Sequence, residues 1–186
     1  MGLDLPEIKG EIIFESFPAG PLQCNCSIVG DPITKRCVVI DPGGEPGKIM
    51  SLVEENQLQV SAIIHTHAHL DHILASAVIK ELTGAPLHLH QGDMFLWSAL
   101  ESQCERFGVP YTPTPDPDAW LNDASLLDCC DGVAIHTPGH TMESSCYLLR
   151  DQNDKEISVF TGDTLFLGDV GRPDLAQENK NMTKEY

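Results

Sequence analysis

The segment HTHAHLDH, residues 65–72, constrains this chain most, because it places four of the eight histidines and one aspartate in eight positions. The apolar run before it predicts a buried strand, and a helical pattern begins at Asp71. His67 and His69 are separated by one residue, which in extended backbone puts both imidazoles on one side. His65, two positions before His67, would share that face, and spacing alone does not exclude it as a ligand. Asp71 and His72 follow at the helix start, and imidazole with carboxylate suits Zn(II), Fe(II) or Mn(II). The segment therefore predicts a metal site where a strand passes into a helix.

The rest of the chain alternates apolar runs of strand length with amphipathic helical patterns. Strands come first, then strands and helices in alternation, then strands again. This order is typical of an α/β or α+β fold whose sheet surfaces are covered by helices. Residues 1–186 are expected to form a single domain, with loops at 109–124 and from Leu165 onward. Strands are predicted at 11–17, 24–30, 36–44, 60–66, 85–90, 132–140, 144–150 and 156–163, and helices at 47–59, 71–84 and 91–108.

Two further candidate ligands follow predicted strands near the end of the chain. TPGHT (137–141) places His140 in a Pro-Gly turn at the end of a strand. FTGDT (160–164) places Asp163 after a glycine, also at the end of a strand. Ligands of α/β proteins gather where strands end, so both side chains are candidates for the same metal site. The remaining histidines are interpreted as hydrogen-bonded structural residues: His65, His88, His90 and His136.

Composition and charge limit the binding partners and the cellular compartment that we expect for this protein. A net charge of −17 repels phosphate backbones and disfavours nucleic acid as a partner. The chain has no apolar run of membrane-spanning length and no signal-peptide pattern at its N-terminus, so we expect a cytoplasmic protein that does not bind membranes. A cleaved organellar precursor would look the same. The seven cysteines form no C-x-x-C pair, which favours reduced thiols over a structural zinc site.

Four segments carry a resemblance to a known family. THAHLDH (66–72) matches the T-H-x-H-x-D-H signature of the metallo-β-lactamase superfamily. TPGHT and TGDTLF (161–166) match the next two motifs of that superfamily in order, and DPGG (41–44) matches an early turn that packs beneath its metal site. The resemblance covers about residues 11 to 175. It implies a four-layer αββα sandwich with the metals at one sheet edge.

The resemblance also implies a set of metal ligands and two zinc ions, with iron or manganese as alternatives. His67, His69 and His140 would hold the first metal, Asp71 and His72 the second, and Asp163 would bridge them. The last ligand of the superfamily is a histidine near a later Gly-rich turn, and no histidine follows His140 here. Three interpretations stay open: a C-terminus truncated relative to the family fold, an incomplete second site, or a different residue as the last ligand.

Finer resemblances suggest the reaction. GPLQCNC (20–26), together with the two later motifs, resembles the glyoxalase II-like branch, the hydroxyacylglutathione hydrolases. This resemblance implies hydrolysis of thioesters such as acylglutathiones. The nucleophile would be a metal-bound hydroxide that Asp71 orients. GDVGRPDL (168–175) resembles the persulfide dioxygenases, which implies one iron on His67, His140 and Asp163. A third alternative is an inactive or non-enzymatic relative. Arg172 either binds an anionic thiol-derived substrate or pairs with Asp174 to hold its loop.

Overall fold

A computed structural model of the chain describes residues 12–127, 129, 132–150 and 157–172. Its larger sheet has six strands in chain order. The first three strands pair antiparallel, and the third to the sixth run parallel. The strands of this sheet are β1 (Ile13–Ala19), β2 (Cys24–Gly30), β3 (Arg36–Ile40), β4 (Gln59–Ile64), β5 (Leu87–Leu89) and β6 (Ala119–Trp120).

Five helices connect the parallel strands and cover one face of this sheet. Parallel neighbours need crossover connections, and the helices supply them. Among the described residues, none of the helices has the length and hydrophobicity of a membrane span. The helices are α1 (Pro46–Glu55), α2 (Leu70–Ile73), α3 (Ser76–Thr83), α4 (Met94–Ser98) and α5 (Leu100–Phe107).

Alternation along β3 separates two hydrophobic clusters. Val39 packs on the helical side, in one cluster with Ile49 of α1 and Ile79 of α3. Val38 points to the opposite face, in a second cluster with Tyr147 of the smaller sheet. Both faces of the central strands are therefore buried, which explains why their sequences are continuously apolar.

The smaller sheet packs against the face that the helices leave uncovered. It contains three antiparallel strands, and a two-stranded hairpin follows it. The mixed α/β fold class is confirmed, with layers of helices, large sheet and small sheet. Within the described residues no helix follows Phe107, so the outer helical layer expected on the small sheet is not among them. The additional strands are β7 (Val133–His136), β8 (Ser145–Arg150), β9 (Ile157–Phe160), β10 (Leu165–Phe166) and β11 (Asp169–Val170).

The predicted helix at 71–84 is interrupted, because α2 ends at Ile73 and α3 begins at Ser76. Between them the amide of Ala75 donates to Pro42 O at 2.8 Å, outside the helix. The turn after β3 therefore diverts the backbone. The predicted helix at 91–108 is likewise divided into a 3-10 turn, α4 and α5.

Two predicted loops contain strands. Residues 109–124 include β6, which extends the large sheet next to β5. The predicted tail after Leu165 contains the β10–β11 hairpin. Each of these strands has two residues, too few to produce the alternation from which strands are predicted.

Candidate metal centre

The six predicted ligands lie together where several strands end. His67 and His69 occupy the segment between β4 and α2, and Asp71 and His72 belong to α2. His140 lies between β7 and β8, and Asp163 follows β9. The smaller sheet is joined to this segment by hydrogen bonds from Ser145 N to Thr66 O, at 2.8 Å, and from the Tyr147 hydroxyl to His65 O. These bonds hold the late ligands against the early ones.

Three imidazoles form the first group. His67, His69 and His140 each present a ring nitrogen, and the three nitrogens lie within 4.8 Å of one another. His69 Nδ1 is 2.9 Å from His140 Nε2. Burial lowers the pKa of all three histidines, that of His69 to about 4, and neighbouring imidazoles lower the pKa of His67 and His69 further. The rings are therefore neutral at pH 7 and have lone pairs available for a cation.

Asp41, in the DPGG turn, determines which nitrogen of His67 carries its proton. The Asp41 carboxylate accepts from Thr66 N and from Thr66 Oγ1, both at 2.7 Å. The Thr66 hydroxyl proton is used in that bond, so at 3.1 Å the hydroxyl oxygen accepts from His67 Nδ1. His67 Nε2 is then unprotonated, and it is buried with no hydrogen-bond partner. A buried lone pair without a donor is costly unless a cation occupies the site.

The same carboxylate orients His72 directly. Asp41 Oδ2 lies 3.0 Å from His72 Nδ1, and His72 Nε2 faces Asp163 Oδ1 at 3.4 Å and Asp71 Oδ2 at 3.7 Å. Burial opposes a charge on His72, but Asp41 and Asp163 outweigh burial and hold its pKa well above the ordinary value. This position therefore stabilises a cation, whether a proton or a metal.

Asp163 connects the two groups. One of its carboxylate oxygens is 3.4 Å from His72 Nε2, and the other is 3.5 Å from His140 Nε2. Burial would raise the pKa of Asp163, but the hydrogen bond and charge of His72 hold it below the ordinary value. An ionised carboxylate with one oxygen directed to each group has the geometry expected of a bridging ligand.

Cys24 is a member of the second group that the sequence analysis did not assign. Its sulfur lies 2.7 Å from Asp71 Oδ2 and within 4.8 Å of ligand atoms of His72 and Asp163. Burial raises the pKa of the Cys24 thiol. The motif QCNC drew attention to this cysteine, but only its position at the start of β2 brings it to the site. Cys24 therefore fits the interpretation in which a different residue serves as the last ligand.

Two glycines are required for the close approach of backbone around the site. A Cβ on Gly43 would lie 1.7 Å from the backbone oxygen of Asp71, and one on Gly171 would lie 1.6 Å from the backbone oxygen of Asp163. Neither clash can be relieved by a side-chain rotation, because the atoms that would be met are backbone. The DPGG and DVGR turns therefore need glycine at these positions.

Two buried polar side chains support the segment between β4 and α2, and the sequence analysis missed both. Asp93 accepts from Ala68 N at 3.0 Å and from the Thr141 hydroxyl at 3.2 Å. Gln103 accepts from Leu70 N at 2.9 Å and donates to Ala68 O at 3.2 Å. Both lie within helical patterns that carry no signal of this role.

Two remaining sequence candidates, His65 and Arg172, belong to neither group, although the Arg172 backbone contacts His140. His65 bonds through its two ring nitrogens to His88 O at 2.8 Å and Ser76 Oγ at 2.7 Å, which matches its interpretation as a structural residue. Arg172 is exposed, so its assignment to substrate stays a prediction. Its suggested partner Asp174 lies outside the described residues.

A cavity of about 580 Å³ opens on the second group. Cys24, His72 and Asp163 lie at one part of its wall, and apolar side chains such as Val159 and Phe166 line another. A polar end beside an apolar wall suits a small organic molecule with one reactive group.

The donor set fits metal ions. Neutral imidazoles, ionised carboxylates and a buried nitrogen without a partner are what Zn(II), Fe(II) or Mn(II) require of a protein site. His67, His69 and His140 would hold one ion, and Asp71, His72 and Cys24 the other, with Asp163 between them.

Curated relatives are similar in sequence over most of this chain. Hydroxyacylglutathione hydrolase GloC of Haemophilus influenzae is 35% identical over 164 residues, 86% of this chain and 75% of that protein. The cytoplasmic isozyme of hydroxyacylglutathione hydrolase from Saccharomyces cerevisiae is 30% identical, over 79% of this chain and 50% of the yeast protein.

Solved structures show the same fold. TTHA1623 in a di-iron-bound form is 29% identical with a TM-score of 0.75, and 92% of this chain and 87% of that one are covered. The B3 metallo-β-lactamase BLEG-1 is 29% identical with a TM-score of 0.74, covering 91% and 84%. ETHE1 from Myxococcus xanthus is 25% identical with a TM-score of 0.62, covering 86% and 61%. The family model described as metallo-beta-lactamase superfamily matches residues 19–184. The resemblance inferred from the motifs is thereby confirmed, and the chain belongs to the metallo-β-lactamase superfamily.

Proposed function

We propose that this metallo-hydrolase cleaves thioesters of small thiols, with acylglutathiones as the substrate class. The observation that carries the proposal is the arrangement of Asp163, which directs one carboxylate oxygen to each group of proposed ligands at 3.4 and 3.5 Å. The relatives named hydroxyacylglutathione hydrolase support the substrate class. The yeast relative, a cytoplasmic isozyme, supports a cytoplasmic location.

When bound, the metal ions supply a water of lowered pKa and polarise the thioester carbonyl. The protein's own side chains position the reactants. Asp71, whose Oδ2 is 3.7 Å from His72 Nε2, would orient the attacking water by accepting its hydrogen bond. The apolar wall of the cavity would receive the uncharged part of the substrate. Arg172 would pair with a carboxylate of the thiol carrier, because most charged side chains of this acidic chain repel anions.

A second candidate is a persulfide dioxygenase with a single iron. His67, His140 and Asp163 form a two-histidine, one-carboxylate set of the kind that binds non-haem Fe(II), and ETHE1 is a structural neighbour. This alternative uses two histidines of the first group together with Asp163, and it leaves Asp71 and His72 without a metal. The number of metals therefore separates the two functions.

The deciding experiment combines elemental analysis with two assays on the same purified protein. The proposal predicts two metals per chain and hydrolysis of an acylglutathione, without oxygen uptake on glutathione persulfide. One iron with oxygen uptake would support the second candidate, and two metals with neither activity would indicate a non-enzymatic relative. His67→Ala should lower turnover at least about 100-fold, whereas His88→Ala, on the neighbouring strand, should leave it within about twofold.

A further inference from the structure

A second cluster of metal-binding side chains lies outside the proposed metal centre. His90, His136 and Glu143 each offer one ligand atom, and these three atoms lie within 4.8 Å of one another. Glu143 Oε2 is 3.0 Å from His90 Nδ1 and 3.0 Å from His136 Nε2. The two imidazole rings are stacked with centroids 4.8 Å apart and planes 5° from parallel. Both histidines were expected from the sequence to be structural residues. They are 46 positions apart, and Glu143 belongs to no motif.

The hydrogen bonds of His90 leave a conflict that a cation would resolve. Its Nδ1 accepts from the amide of Gly92 at 3.3 Å, so that nitrogen is unprotonated, and an ion in the cluster would take its lone pair in place of this long hydrogen bond. The same nitrogen lies 3.0 Å from Glu143 Oε2, which is also an acceptor. Burial lowers the pKa of His90, which favours the neutral ring with this lone pair. Two acceptors at that separation repel each other unless a positive charge lies between them.

The distances match those of a zinc site. In a tetrahedral site with bonds of about 2.0–2.1 Å, ligand atoms are roughly 3.3 Å apart. The two distances of 3.0 Å to Glu143 Oε2 are close to this value. Two histidines and one glutamate are a ligand set that zinc accepts, with water in the fourth position. All three side chains are half-buried, so water reaches the cluster.

Gly92 holds Glu143 in place for this role. A Cβ at position 92 would lie 2.2 Å from Glu143 Cγ and 2.5 Å from Cδ, so the glutamate side chain lies directly over the glycine. The absence of a side chain at Gly92 therefore allows the carboxylate to reach both imidazoles. One imidazole would rotate on binding, because the two stacked rings lie in nearly parallel planes and each lone pair lies in the plane of its ring.

We propose that His90, His136 and Glu143 bind one divalent transition-metal ion of the zinc class, in addition to the metals of the proposed catalytic centre. The ion would join the turn that follows His90 to the loop between β7 and β8. That turn ends at Asp93, and the Asp93 carboxylate already accepts from the Thr141 hydroxyl of the same loop at 3.2 Å. The loop also carries His140, so the ion would fasten a segment on which the catalytic centre depends. The proposal does not depend on the reaction catalysed.

Binding would shift one proton within His136. In the metal-free protein a proton on His136 Nε2 serves both Glu143 Oε2, at 3.0 Å, and Met142 O, at 3.3 Å. A zinc ion would take the place of that proton at Nε2, and the proton would move to Nδ1 of the same ring. A neutral imidazole therefore binds the ion without net release of a proton.

The test is a titration of the metal-loaded, dialysed protein with Zn²⁺ alone, by isothermal calorimetry in two buffers of different ionisation enthalpy. The expected result is one additional zinc per chain, with the same binding enthalpy in both buffers because no net proton is released. Glu143→Gln and His136→Gln should each weaken this additional site at least about tenfold, while the metals of the catalytic centre stay bound. Gly92→Ala should weaken it as well, because the new methyl group displaces Glu143.

His88→Gln is the matched control, since it removes an imidazole from β5 two positions before His90 and leaves the cluster intact. It should bind the additional zinc as the wild type does. The proposal is overturned if the wild type binds no additional zinc, if the variants of the cluster bind it unchanged, or if His88→Gln weakens it equally. Circular dichroism verifies that each variant is folded before its titration is interpreted.

Discussion

Asp41→Asn should weaken metal binding in both groups, although Asp41 belongs to neither set of proposed ligands. The wild-type carboxylate accepts two hydrogen bonds, from Thr66 N and Thr66 Oγ1, both at 2.7 Å, and its Oδ2 lies 3.0 Å from His72 Nδ1. An asparagine can keep its oxygen towards Thr66 N, but its NH₂ group then faces His72 Nδ1. That nitrogen must become the acceptor, so the proton of His72 moves to Nε2, which is the nitrogen needed for a metal. The Thr66 hydroxyl loses its acceptor too, and it no longer fixes the proton on His67 Nδ1.

The magnitude follows from these lost contacts. Changing the partner that orients a metal-binding histidine typically costs 10- to 100-fold in metal affinity, which corresponds to about 1.4–2.7 kcal/mol. Hydrogen bonds to charged groups contribute about 1.5–3 kcal/mol each. Asparagine preserves one of these three polar contacts of Asp41. We therefore expect the metal-free variant to lose about 2–4 kcal/mol of unfolding free energy, because its buried amide satisfies the remaining donors poorly.

The assay is a zinc competition titration against a chromophoric chelator, with urea unfolding of the metal-free protein alongside. Asp31→Asn is the matched control, because Asp31 accepts two backbone amides, from Ile33 at 2.7 Å and Thr34 at 3.2 Å, in an exposed turn away from the site. It should stay within about 0.5 kcal/mol of the wild type in stability and bind zinc equally well. Unchanged zinc affinity in a folded Asp41→Asn variant would show that the proton positions of His67 and His72 do not depend on Asp41.

Three further predictions test separate parts of the structure. Gly43→Ala should lower the unfolding free energy by at least about 3 kcal/mol in urea unfolding, since its Cβ would lie 1.7 Å from a backbone oxygen of α2; Gly47→Ala in α1, with open space around its Cβ, should instead be stabilising by about 0.5–1 kcal/mol. Burial lowers the pKa of His65 to about 4, below its unfolded value of about 6.5, so its contribution is present above pH 6.5 and is lost as the pH falls towards 4. This loss amounts to about 3 kcal/mol, and the difference in unfolding free energy between pH 7 and pH 4 should shrink in His65→Asn; an unchanged difference would contradict the burial argument. Cobalt-loaded protein should show near-ultraviolet sulfur-to-cobalt charge-transfer absorption, and Cys24→Ser should abolish this band. The control variant Cys104→Ala, in a helix away from the site, should retain the band. Persistence of the band in Cys24→Ser would exclude this sulfur as a ligand.

The motifs indicate which side chains lie together as candidate ligands, because they combine residue type with position at strand ends. They do not explain why His65 differs from His67 and His69. Alternation places all three on one side only while the strand remains extended, and β4 ends at Ile64. Beyond that residue the direction of each ring depends on its hydrogen-bond partners, and those of His65 lie on β5 and α3. Partners that are distant in sequence leave no periodic signal.

The same limit applies to the side chains that sequence reasoning missed. Cys24, Asp93 and Gln103 reach the site from β2, the 3-10 turn and α5, and each lies in a segment whose pattern is explained by its own strand or helix. The pairing of His90 with His136 is likewise a result of tertiary structure, since it requires β5 and β7, which belong to different sheets, to end near each other. Residue type and spacing identify a ligand when it belongs to a motif, whereas isolated partners become visible only after the strands are placed.

The cooperation of the DPGG turn with HTHAHLDH follows from the pairing of two strands. β3 and β4 run parallel with Ile40 opposite Ile64, and Asp41 N donates to Ile64 O at 3.0 Å. Parallel strands that end in register deliver the next residues of both to the same edge of the sheet, so a carboxylate and a histidine segment 24 residues apart become neighbours. Gly43 then allows α2 to approach the turn closely enough for His72 to reach Asp41. A shift of one residue between β3 and β4 would turn Asp41 to the opposite face, and both groups of ligands would lose the carboxylate that sets their protons.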